Sequence, residues 1–428
     1  MENKKNEVQK WLHNHKLKAV ELLQSLIREP STQMNEARVQ ELVAKKLAEL
    51  GCKIDVWEPS GEILTSHQAF ISPRDDFRGS PNVVGVKKGI GGGRSLVLNG
   101  HIDVVPEGDL KAWDADPYGG EYRDDKVFGR GATDMKGGNV AMIMAMEALQ
   151  ECDVSLKGDL IFHSVIEEES GGAGTLAAIL KEYTGDAAII PEPTNMKIFP
   201  KQQGSIWFRM YVKGKSAHGG TRYEGISAIE KTQLVLDELK KLEQIRNQRI
   251  NDPLFKDIPI PIPINVGVIE GGDWPSSVAD LVKVEGRFGV SPDESIESAK
   301  AEFLDHFASI SKIDPWFIEH PVQIEWFGAR WLPGSISNDH PLLTSLQRQY
   351  EFVCQKEPVV EASPWGTDGG LLSAIGNVPS IVFGPGITSM AHYANEYIEM
   401  DNVMTCAEIL ALTMMDWCNQ PKQEGAIN

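Results

Sequence analysis

In Leu96-Val-Leu-Asn-Gly-His101-Ile-Asp103, an apolar run of strand length ends in a histidine and an aspartate. A second apolar run, Leu160–Ile166, ends in the same way and delivers Glu167-Glu168-Glu169. Between the two runs, Asn139–Leu149 has apolar residues at helical spacing. Strands that alternate with helices predict a mostly parallel, doubly wound α/β sheet with helices on both faces. The carboxyl ends of such strands share one edge, where α/β proteins bind ligands.

Other polar residues follow strand-like runs in the same manner. The run Ala187–Ile190 leads to Glu192, and the run Ser380–Phe383 leads through a short loop to His392. Asp134 lies in a glycine-rich segment just before the predicted helix. We therefore expect these side chains to meet His101 and the glutamates at one edge of the sheet.

Each of these residues has an ordinary structural explanation when it is taken alone. A histidine after a strand is usually a loop residue, and an aspartate before a helix is a common N-cap. Together, however, three or more carboxylates repel one another unless a cation neutralises them. Two imidazoles and three carboxylates suit two zinc or cobalt ions that share one carboxylate and a hydroxide. One of Glu168 and Glu169 would then ligate a metal while the other acts as a general base.

The N-terminal part of the chain predicts helices followed by short strands. Apolar residues recur at helical spacing over Val8–Ile27 and again over Asn35–Leu50. The runs Val83–Val86 and Leu96–Leu98 flank a glycine-rich segment that we interpret as a hairpin turn. A phosphate-binding loop would have to open a helix, and this segment opens a strand instead.

The pattern changes at about Ser205, where a second domain is expected. Strands and helices there follow the order βαββαβ, which is typical of the α+β ferredoxin-like sandwich. Alternate prolines over residues 259–263 predict an extended segment that leads into an edge strand. We therefore predict a discontinuous catalytic domain, residues 1–204 and 327–428, with an inserted domain at residues 205–326.

The composition excludes several classes of partner. The chain has 428 residues, with 42 Lys+Arg and 61 Asp+Glu, and its formal net charge is −19. An acidic surface repels nucleic acids and anionic membranes, so neither is an expected partner. No run approaches the length of a membrane span, and the N-terminal stretch lacks the apolar core of a signal peptide. Five scattered cysteines, without a CxxC pair, are typical of a cytoplasmic protein with reduced thiols.

Two signatures resemble those of the M20 metallopeptidase and deacylase family, which includes acetylornithine deacetylase and succinyl-diaminopimelate desuccinylase. Gly100-His101-Ile-Asp103-Val-Val-Pro106 is similar to the first signature, and Gly129-Arg-Gly-Ala-Thr-Asp134-Met-Lys-Gly-Gly138 to the second. The Glu-Glu pair, Glu192-Pro-Thr194 and the late His-x-x-Asn-Glu of residues 392–396 follow in the same order. The resemblance covers essentially the whole chain, including the inserted domain.

The resemblance implies a role for each residue at the sheet edge. It implies two divalent metal ions, zinc or cobalt, with one held by His101 and Glu192. The other ion would be held by Glu169 and His392, and Asp134 would bridge the two. Glu168 would be the general base and Asp103 would orient the His101 ring. The peptide bond after the bridging aspartate, Asp134–Met135, is expected to be cis.

The resemblance also implies roles for residues of the inserted domain, which would serve as a lid and as a dimerisation domain. His218 would reach the active site of the partner subunit in a homodimer and stabilise the oxyanion. Asn265 would contact the substrate, and Arg287 would pair with a substrate carboxylate. Closure of the lid would bring these groups to the metals.

Two departures from the family pattern affect the finer inferences. Many members have Asp-Glu-Glu where this chain has Glu167-Glu168-Glu169, although Ser170-Gly-Gly172 still selects Glu168 as the base. Many members have Asn-Val-Val-Pro-Asp where this chain has Ser276-Ser-Val-Ala-Asp280. The second change lies near the expected substrate contacts, so the substrate is not carried over from the family.

The expected function is hydrolysis of the amide bond of a small N-acyl amino acid or a related N-acyl amine. A metal-bridging hydroxide would attack the carbonyl, and the glutamate base would move the proton. The alternatives within the class are a di- or tripeptide exopeptidase and a deformylase of an N-formyl heterocyclic amine. A third alternative, from a different class, is an inactive relative that binds a small molecule.

Overall fold

The computed structural model describes residues 2–422, and these residues form two compact units. The first unit comprises the chain up to Lys201, Gly334–Ser363 and the chain from Thr367 onward. The second unit comprises Gln202–Pro333 and Pro364–Gly366. The exit therefore lies seven residues later than the predicted boundary at 326/327, because the last strand of the inserted unit continues to Trp331.

Helices and strands alternate along most of the described chain. The helices are α1 (Glu2–Asn14), α2 (Lys16–Arg28), α3 (Ala37–Glu49), α4 (Glu62–Thr65), α5 (Gly137–Glu151), α6 (Ala173–Leu180), α7 (Ala228–Asn247), α8 (Ile296–Ala308), α9 (Trp316–Glu319), α10 (Pro341–Cys354), α11 (Gly369–Ala374) and α12 (Met400–Trp417). The strands are β1 (Lys53–Trp57), β2 (Asn82–Lys87), β3 (Leu96–His101), β4 (Glu121–Arg123), β5 (Lys126–Phe128), β6 (Leu160–Val165), β7 (Ala188–Ile190), β8 (Ile198–Gln202), β9 (Gly204–Lys213), β10 (Ile264–Gly271), β11 (Leu281–Val290), β12 (Gln323–Trp331), β13 (Gly334–Ser335), β14 (Val360–Ser363), β15 (Ser380–Val382) and β16 (Tyr397–Glu399).

The large sheet of the first unit has the order β1-β2-β6-β3-β7-β15-β8-β13, and β14 pairs with β8. Its four central strands, β6, β3, β7 and β15, are parallel, while β1, β2 and β8 are antiparallel to their neighbours. The predicted α/β class with a mostly parallel central sheet is confirmed. These four parallel strands are the runs from which the sequence predicted the site, so their carboxyl ends lie at one edge.

The predicted hairpin between β2 and β3 is wrong. Both strands pair with β6 instead, antiparallel for β2 and parallel for β3, so β6 lies between them. The glycine-rich segment does not join neighbouring strands, and the N–H of Gly91 donates to the carbonyl of Lys157 at 2.9 Å. Strands β2 and β3, which follow each other in the sequence, are therefore separated in the sheet by β6, which begins more than 60 residues after β3 begins.

Three helices of the first unit, α5, α6 and α12, consist mostly of apolar residues. Helix α5 is buried over almost its whole length and packs against α12. The single helix expected over Val8–Ile27 is two helices, α1 and α2, because the backbone departs from helical geometry at His15. Among residues 2–422, no helix combines the length and the apolar character that a membrane crossing requires.

The second unit has the predicted βαββαβ order, formed by β9, α7, β10, β11, α8 and β12. Its four strands form an antiparallel sheet in the order β10-β11-β9-β12, which is the ferredoxin-like arrangement. Phe208, Phe288 and Phe303 are completely buried in the core between this sheet and its two helices. Strand β10 is an edge strand, as the proline-rich segment before it predicted.

Candidate metal centre

His101 is the last residue of β3, and the fold fixes the orientation of its ring. Its Nδ1 lies 2.8 Å from the carbonyl oxygen of Asp103, so Nδ1 carries the proton and donates it. Its Nε2 faces two carboxylates, Asp134 at 3.1 Å and Glu192 at 3.7 Å, and it is the ring nitrogen that a metal would bind in the neutral form of the ring. The ring is 2% exposed, which makes this nitrogen a preoriented ligand atom.

Asp134 lies in the loop before α5, with its carboxylate between two imidazoles. Its Oδ1 is 3.1 Å from Nε2 of His101, and its Oδ2 is 3.3 Å from Nε2 of His392. Burial opposes ionisation of Asp134, but hydrogen bonds from the two histidines outweigh it and hold its pKa below the usual value. The Asp134–Met135 peptide bond is cis, as expected. A carboxylate with one oxygen toward each imidazole is arranged as a bridging ligand would be.

His392 and Glu169 form the second half of the site. Nε2 of His392 lies 3.1 Å from both carboxylate oxygens of Glu169. Hydrogen bonds with Asp134 and Glu169 raise the pKa of His392 to about 11. The side chain of His392 is half exposed, so this half of the site faces solvent while the His101 half is buried.

Glu192 follows β7 and completes the buried half. Burial, which the nearby His101 partly offsets, raises the pKa of Glu192 to about 7. The carbonyl of the preceding Pro191 lies against Gly138 of α5, where a Cβ atom would stand only 2.0 Å from that oxygen. A glycine at this position therefore allows the helix and the Glu192 loop to approach closely.

Glu168 is buried beside the His101 half of the site. Burial, reinforced by the negative charge of Glu192, raises the pKa of Glu168 well above its usual value. A carboxyl group with a raised pKa in a polar cleft is suited to accept and release a proton near neutral pH. Glu168 thus has the chemical properties that a general base requires.

Asp103 contacts the His101 ring through both its main chain and its side chain. Its carboxylate is 3.7 Å from Nδ1, whereas its main-chain carbonyl makes the 2.8 Å hydrogen bond. The carboxylate instead accepts the N–H groups of Glu168 and Glu169, at 3.3 and 3.2 Å. Asp103 therefore links the His101 ring to the loop that carries both glutamates.

The combined donor set is suited to a divalent cation. Ligand atoms of His101, Asp134 and Glu169 all lie within 4.8 Å of one another, and so do those of His101, Glu168 and Glu192. Without a cation, this edge would hold four carboxylates that repel one another at close range. Imidazole nitrogens and carboxylate oxygens suit borderline metals such as zinc, and the described part of the chain brings no cysteine to this set.

Comparison with known proteins gives the family. The model of peptidase family M20/M25/M40 matches residues 97–416, which is most of the chain. The protein belongs to this family. M20 proteins are hydrolases of amide bonds, and the chain is a metal-dependent amidohydrolase of this group.

The relatives of this M20 amidohydrolase act on several small amides. It is 32% identical to an N-formyl-4-amino-5-aminomethyl-2-methylpyrimidine deformylase of Halalkalibacterium halodurans, over 94% of each chain. It is 30% identical to the deformylase of that name in Bacillus subtilis, over 97% of this chain and 98% of the relative. It is 26% identical to the acetylornithine deacetylase of Salmonella heidelberg, over 93% of this chain and 97% of the relative.

Solved structures share the fold of this M20 amidohydrolase. The di-peptidase Dug1p of Saccharomyces cerevisiae superposes with a TM-score of 0.76 at 15% identity, over 99% of this chain and 100% of that one. Human carnosine dipeptidase 1 gives a TM-score of 0.71 at 17% identity, over 97% and 99%. A dinuclear metal-binding M20 peptidase of Bacillus subtilis gives 0.66 at 15% identity, over 95% and 100%.

The three remaining predicted residues of the M20 amidohydrolase lie in the inserted unit. His218 precedes a short helical turn, and its Nδ1 accepts the N–H of Gly220 at 3.1 Å. Asn265 of β10 and Arg287 of β11 face each other as partners in the strand register. Burial lowers the pKa of the Arg287 guanidinium to about 10, and no carboxylate among residues 2–422 forms an ion pair with it.

Sequence reasoning missed the role of two buried residues in the catalytic unit. Glu396 accepts the N–H groups of Gly131, Thr133 and Asp134, at 2.8–3.2 Å. Arg130 donates to the other side of this carboxylate at 2.6 Å. The Asn-Glu pair shortly after His392 in the sequence was the signal for Glu396. The segment that Glu396 binds, residues 131–134, lies more than 250 positions away.

Proposed function

We propose that this protein hydrolyses the amide bond of a small N-acyl amine, with Glu168 as the general base. The observation that carries the proposal is the meeting of two histidines and four carboxylates at one sheet edge. Two divalent cations, zinc or cobalt, would be held there by His101, Asp134, Glu169, Glu192 and His392.

The residues of the chain would divide the reaction between them. The cations, when bound, polarise the substrate carbonyl and lower the pKa of an attacking water. Glu168 would take a proton from that water and return it to the nitrogen of the leaving amine. The main chain of Asp103 would keep His101 in one tautomer, and its carboxylate would hold the main chain of the glutamate loop.

His218 would stabilise the negative charge that forms on the carbonyl oxygen. Because its Nδ1 accepts the Gly220 N–H, the proton of the neutral ring lies on Nε2. Nε2–H is therefore available as a donor to an oxyanion. We propose that this donor acts in the active site of a second subunit.

A homodimer through the inserted unit is part of the proposal. Strand β10 lies at the edge of its sheet, and its side chains Val268 and Ile269 are 39% and 52% exposed. An exposed edge strand with apolar side chains is a ready site for pairing with another chain. Light scattering after chromatography would give twice the chain mass, and Ile269→Lys would shift the protein toward monomer.

The first substrate candidate is an N-formyl aminomethylpyrimidine. It is supported by the likeness to two deformylases at 32% and 30% identity over nearly full length. Formyl is the smallest acyl group, and hydrolysis of a formamide needs only the carbonyl chemistry described above. The pyrimidine carries no carboxylate, so it would not need a pairing cation from the lid.

The second candidate is an N-acyl amino acid, and Arg287 is the observation that favours it. A partly buried guanidinium with no ion-pair partner in the described chain would be matched by a substrate carboxylate. Asn265 lies opposite Arg287 in the register and would contact the same substrate. Di- and tripeptide hydrolysis is a variant of this candidate, since a peptide also ends in a carboxylate.

A substrate panel tests the proposal and separates the candidates. The panel contains the N-formyl aminomethylpyrimidine, N-acetyl and N-succinyl amino acids and dipeptides, each with zinc and then cobalt supplied. Arg287→Met should leave turnover of the pyrimidine unchanged but weaken turnover of every carboxylate-bearing compound by about 10- to 100-fold. Turnover of none of these amides, together with no bound or activating divalent metal, would refute the proposal and favour an inactive small-molecule-binding relative.

The cellular compartment is also proposed. All five cysteines of the described chain are free thiols, and four of them are buried. Free thiols are typical of proteins in a reducing compartment, so we propose a cytoplasmic location. Fractionation of cells that express a tagged protein would test it.

A further inference from the structure

Arg74 lies between two buried carboxylates, one of which, Glu167, adjoins Glu168 and Glu169 in the chain. Its Nε donates to Oε1 of Glu167 at 2.6 Å, and its Nη2 donates to Oε1 of Glu36 at 3.1 Å. Both carboxylates are completely buried, whereas Arg74 is 15% exposed. Arg74 is the one cation that contacts both groups among the described residues, so their burial depends on it.

Glu167 has an unusual backbone conformation, and its side chain is held on all sides. Its φ is +63°, in the left-handed region that a residue with a Cβ rarely adopts. Besides Arg74, its carboxylate accepts hydrogen bonds from Ser72 at 3.0 Å, Ser170 at 2.6 Å and Gln33 at 3.4 Å. Such a conformation persists only where surrounding contacts hold it.

The next two residues are Glu168 and Glu169. Their N–H groups donate to the carboxylate of Asp103. The main chain of the loop is therefore held by Asp103, and the residue before it is held by the side-chain contacts of Glu167. Ile71, three positions before Arg74, also packs against Gly171 just after the loop. The segment that carries Arg74 therefore covers both ends of the turn that presents the two glutamates.

We propose that Arg74 is a positioning residue that acts through Glu167 to set the geometry of Glu168 and Glu169. This inference rests on the proposed function for the role of Glu168. It also accounts for the departure of Glu167 from the aspartate expected at this position, because the longer side chain reaches the guanidinium of Arg74. Even a small displacement of this loop would lower kcat steeply.

The test compares two carboxylates that share one arginine. Glu167→Gln and Glu36→Gln each remove a buried negative charge from Arg74, but only Glu167 adjoins the glutamate loop. We expect Glu167→Gln and Arg74→Ala to lower kcat about 30- to 100-fold, with KM within about twofold and Zn²⁺ affinity weakened about tenfold. Glu36→Gln is expected to keep kcat and Zn²⁺ affinity within about threefold while losing similar stability.

Chemical rescue adds a readout that a merely structural role would not give. Guanidinium chloride at millimolar concentration should restore at least about tenfold of the lost kcat in Arg74→Ala, because it can refill the site between the two carboxylates. It should restore nothing in Glu167→Gln. Arg74→Lys should recover part of the loss, since one ammonium group cannot span both carboxylates as a guanidinium does.

Two results would overturn the inference. One is equal loss of kcat in Glu36→Gln and Glu167→Gln, which would mean that the arginine only stabilises the fold. The other is unchanged kcat and unchanged Zn²⁺ affinity in Arg74→Ala. Zn²⁺ titration needs no substrate, so it tests the inference even if every amide of the panel is inert. A failure of the proposed function itself would show instead as normal turnover in Glu168→Ala.

Discussion

Glu396 receives the main-chain N–H of Asp134 on Oε1, at 3.2 Å. The main chain of the proposed bridging residue is therefore held by a carboxylate that lies outside the proposed ligand set. Arg130 neutralises Glu396 from the other side and also donates to the carbonyl of His392, at 3.4 Å. One ion pair thus fixes the positions of both Asp134 and His392.

Glu396→Gln should weaken Zn²⁺ affinity by about 10- to 100-fold, although Glu396 is not one of the proposed metal ligands. A glutamine amide would direct its NH₂ group at donors, either the loop N–H groups or the Arg130 guanidinium. Isothermal titration with Zn²⁺ measures the effect. Glu399→Gln is the control, since that side chain is 43% exposed and 3.8 Å from its nearest cation; an equal loss in both variants would contradict the assignment.

Glu168→Gln should lower kcat by about 10²- to 10⁴-fold while leaving metal content unchanged, because the amide cannot accept the proton of the attacking water. Metal analysis of the purified variant separates loss of the base from loss of a ligand. Loss of one metal equivalent would instead make Glu168 a ligand, a possibility that its closeness to His101 and Glu192 makes worth testing.

Metal removal should destabilise the catalytic unit. The carboxylates of Asp134, Glu169 and Glu192 then repel one another, and a cation that binds only the folded chain stabilises it by mass action. With Zn²⁺ at about 100 times its Kd, we expect about 2.7 kcal/mol and a Tm rise of roughly 5–10 °C over the chelated protein. Magnesium at the same concentration is the control, because it prefers six oxygen ligands and should give a much smaller shift.

Gly138→Ala should cost about 1–3 kcal/mol in the free energy of unfolding. The new methyl group would stand 2.0 Å from the Pro191 carbonyl, so α5 or the Glu192 loop must move. Zn²⁺ affinity should fall together with stability. Gly267→Ala, whose Cβ would lie 3.8 Å from its nearest neighbour, should change neither by much in urea titrations and metal titrations.

Acid should destabilise the protein through His163, a completely buried residue of β6. Burial lowers its pKa from 6.5 to about 4. Between these two pH values the unfolded chain binds a proton that the folded chain excludes, so stability falls as the pH falls. This one residue should account for about 3 kcal/mol of the loss. His163→Gln should flatten the dependence of urea unfolding on pH between 6.5 and 4, and an unchanged slope would contradict the prediction.

Much of the site could be predicted from the sequence because its residues follow apolar strand runs directly. His101 ends β3, and Glu168, Glu192 and His392 follow β6, β7 and β15. In a parallel sheet, chain direction alone brings such positions to one edge. The βαββαβ order of the inserted unit was equally readable from the alternation of strands and helices.

The rest depended on contacts between distant parts of the chain. The hairpin prediction failed because β6, which separates β2 from β3, lies far along the chain. The Asp103 carboxylate binds N–H groups more than 60 residues away, and Glu396 binds a loop more than 250 residues away. The local sequence pattern indicates which side chains are candidates for the site. It does not show which distant main-chain N–H groups these carboxylates bind.

The chain leaves and re-enters the catalytic unit through segments that run side by side. Within that unit, the N–H of Ile336 donates to the carbonyl of Pro200 at 2.9 Å. Within the inserted unit, Ser205 of β9 pairs with Trp331 of β12. In each unit, therefore, the outgoing and the returning segments of the chain lie next to each other. A module joined in this way can be exchanged or shortened during evolution without redesign of its host, which on the proposed roles of the two units would let substrate choice and hydrolytic chemistry evolve separately.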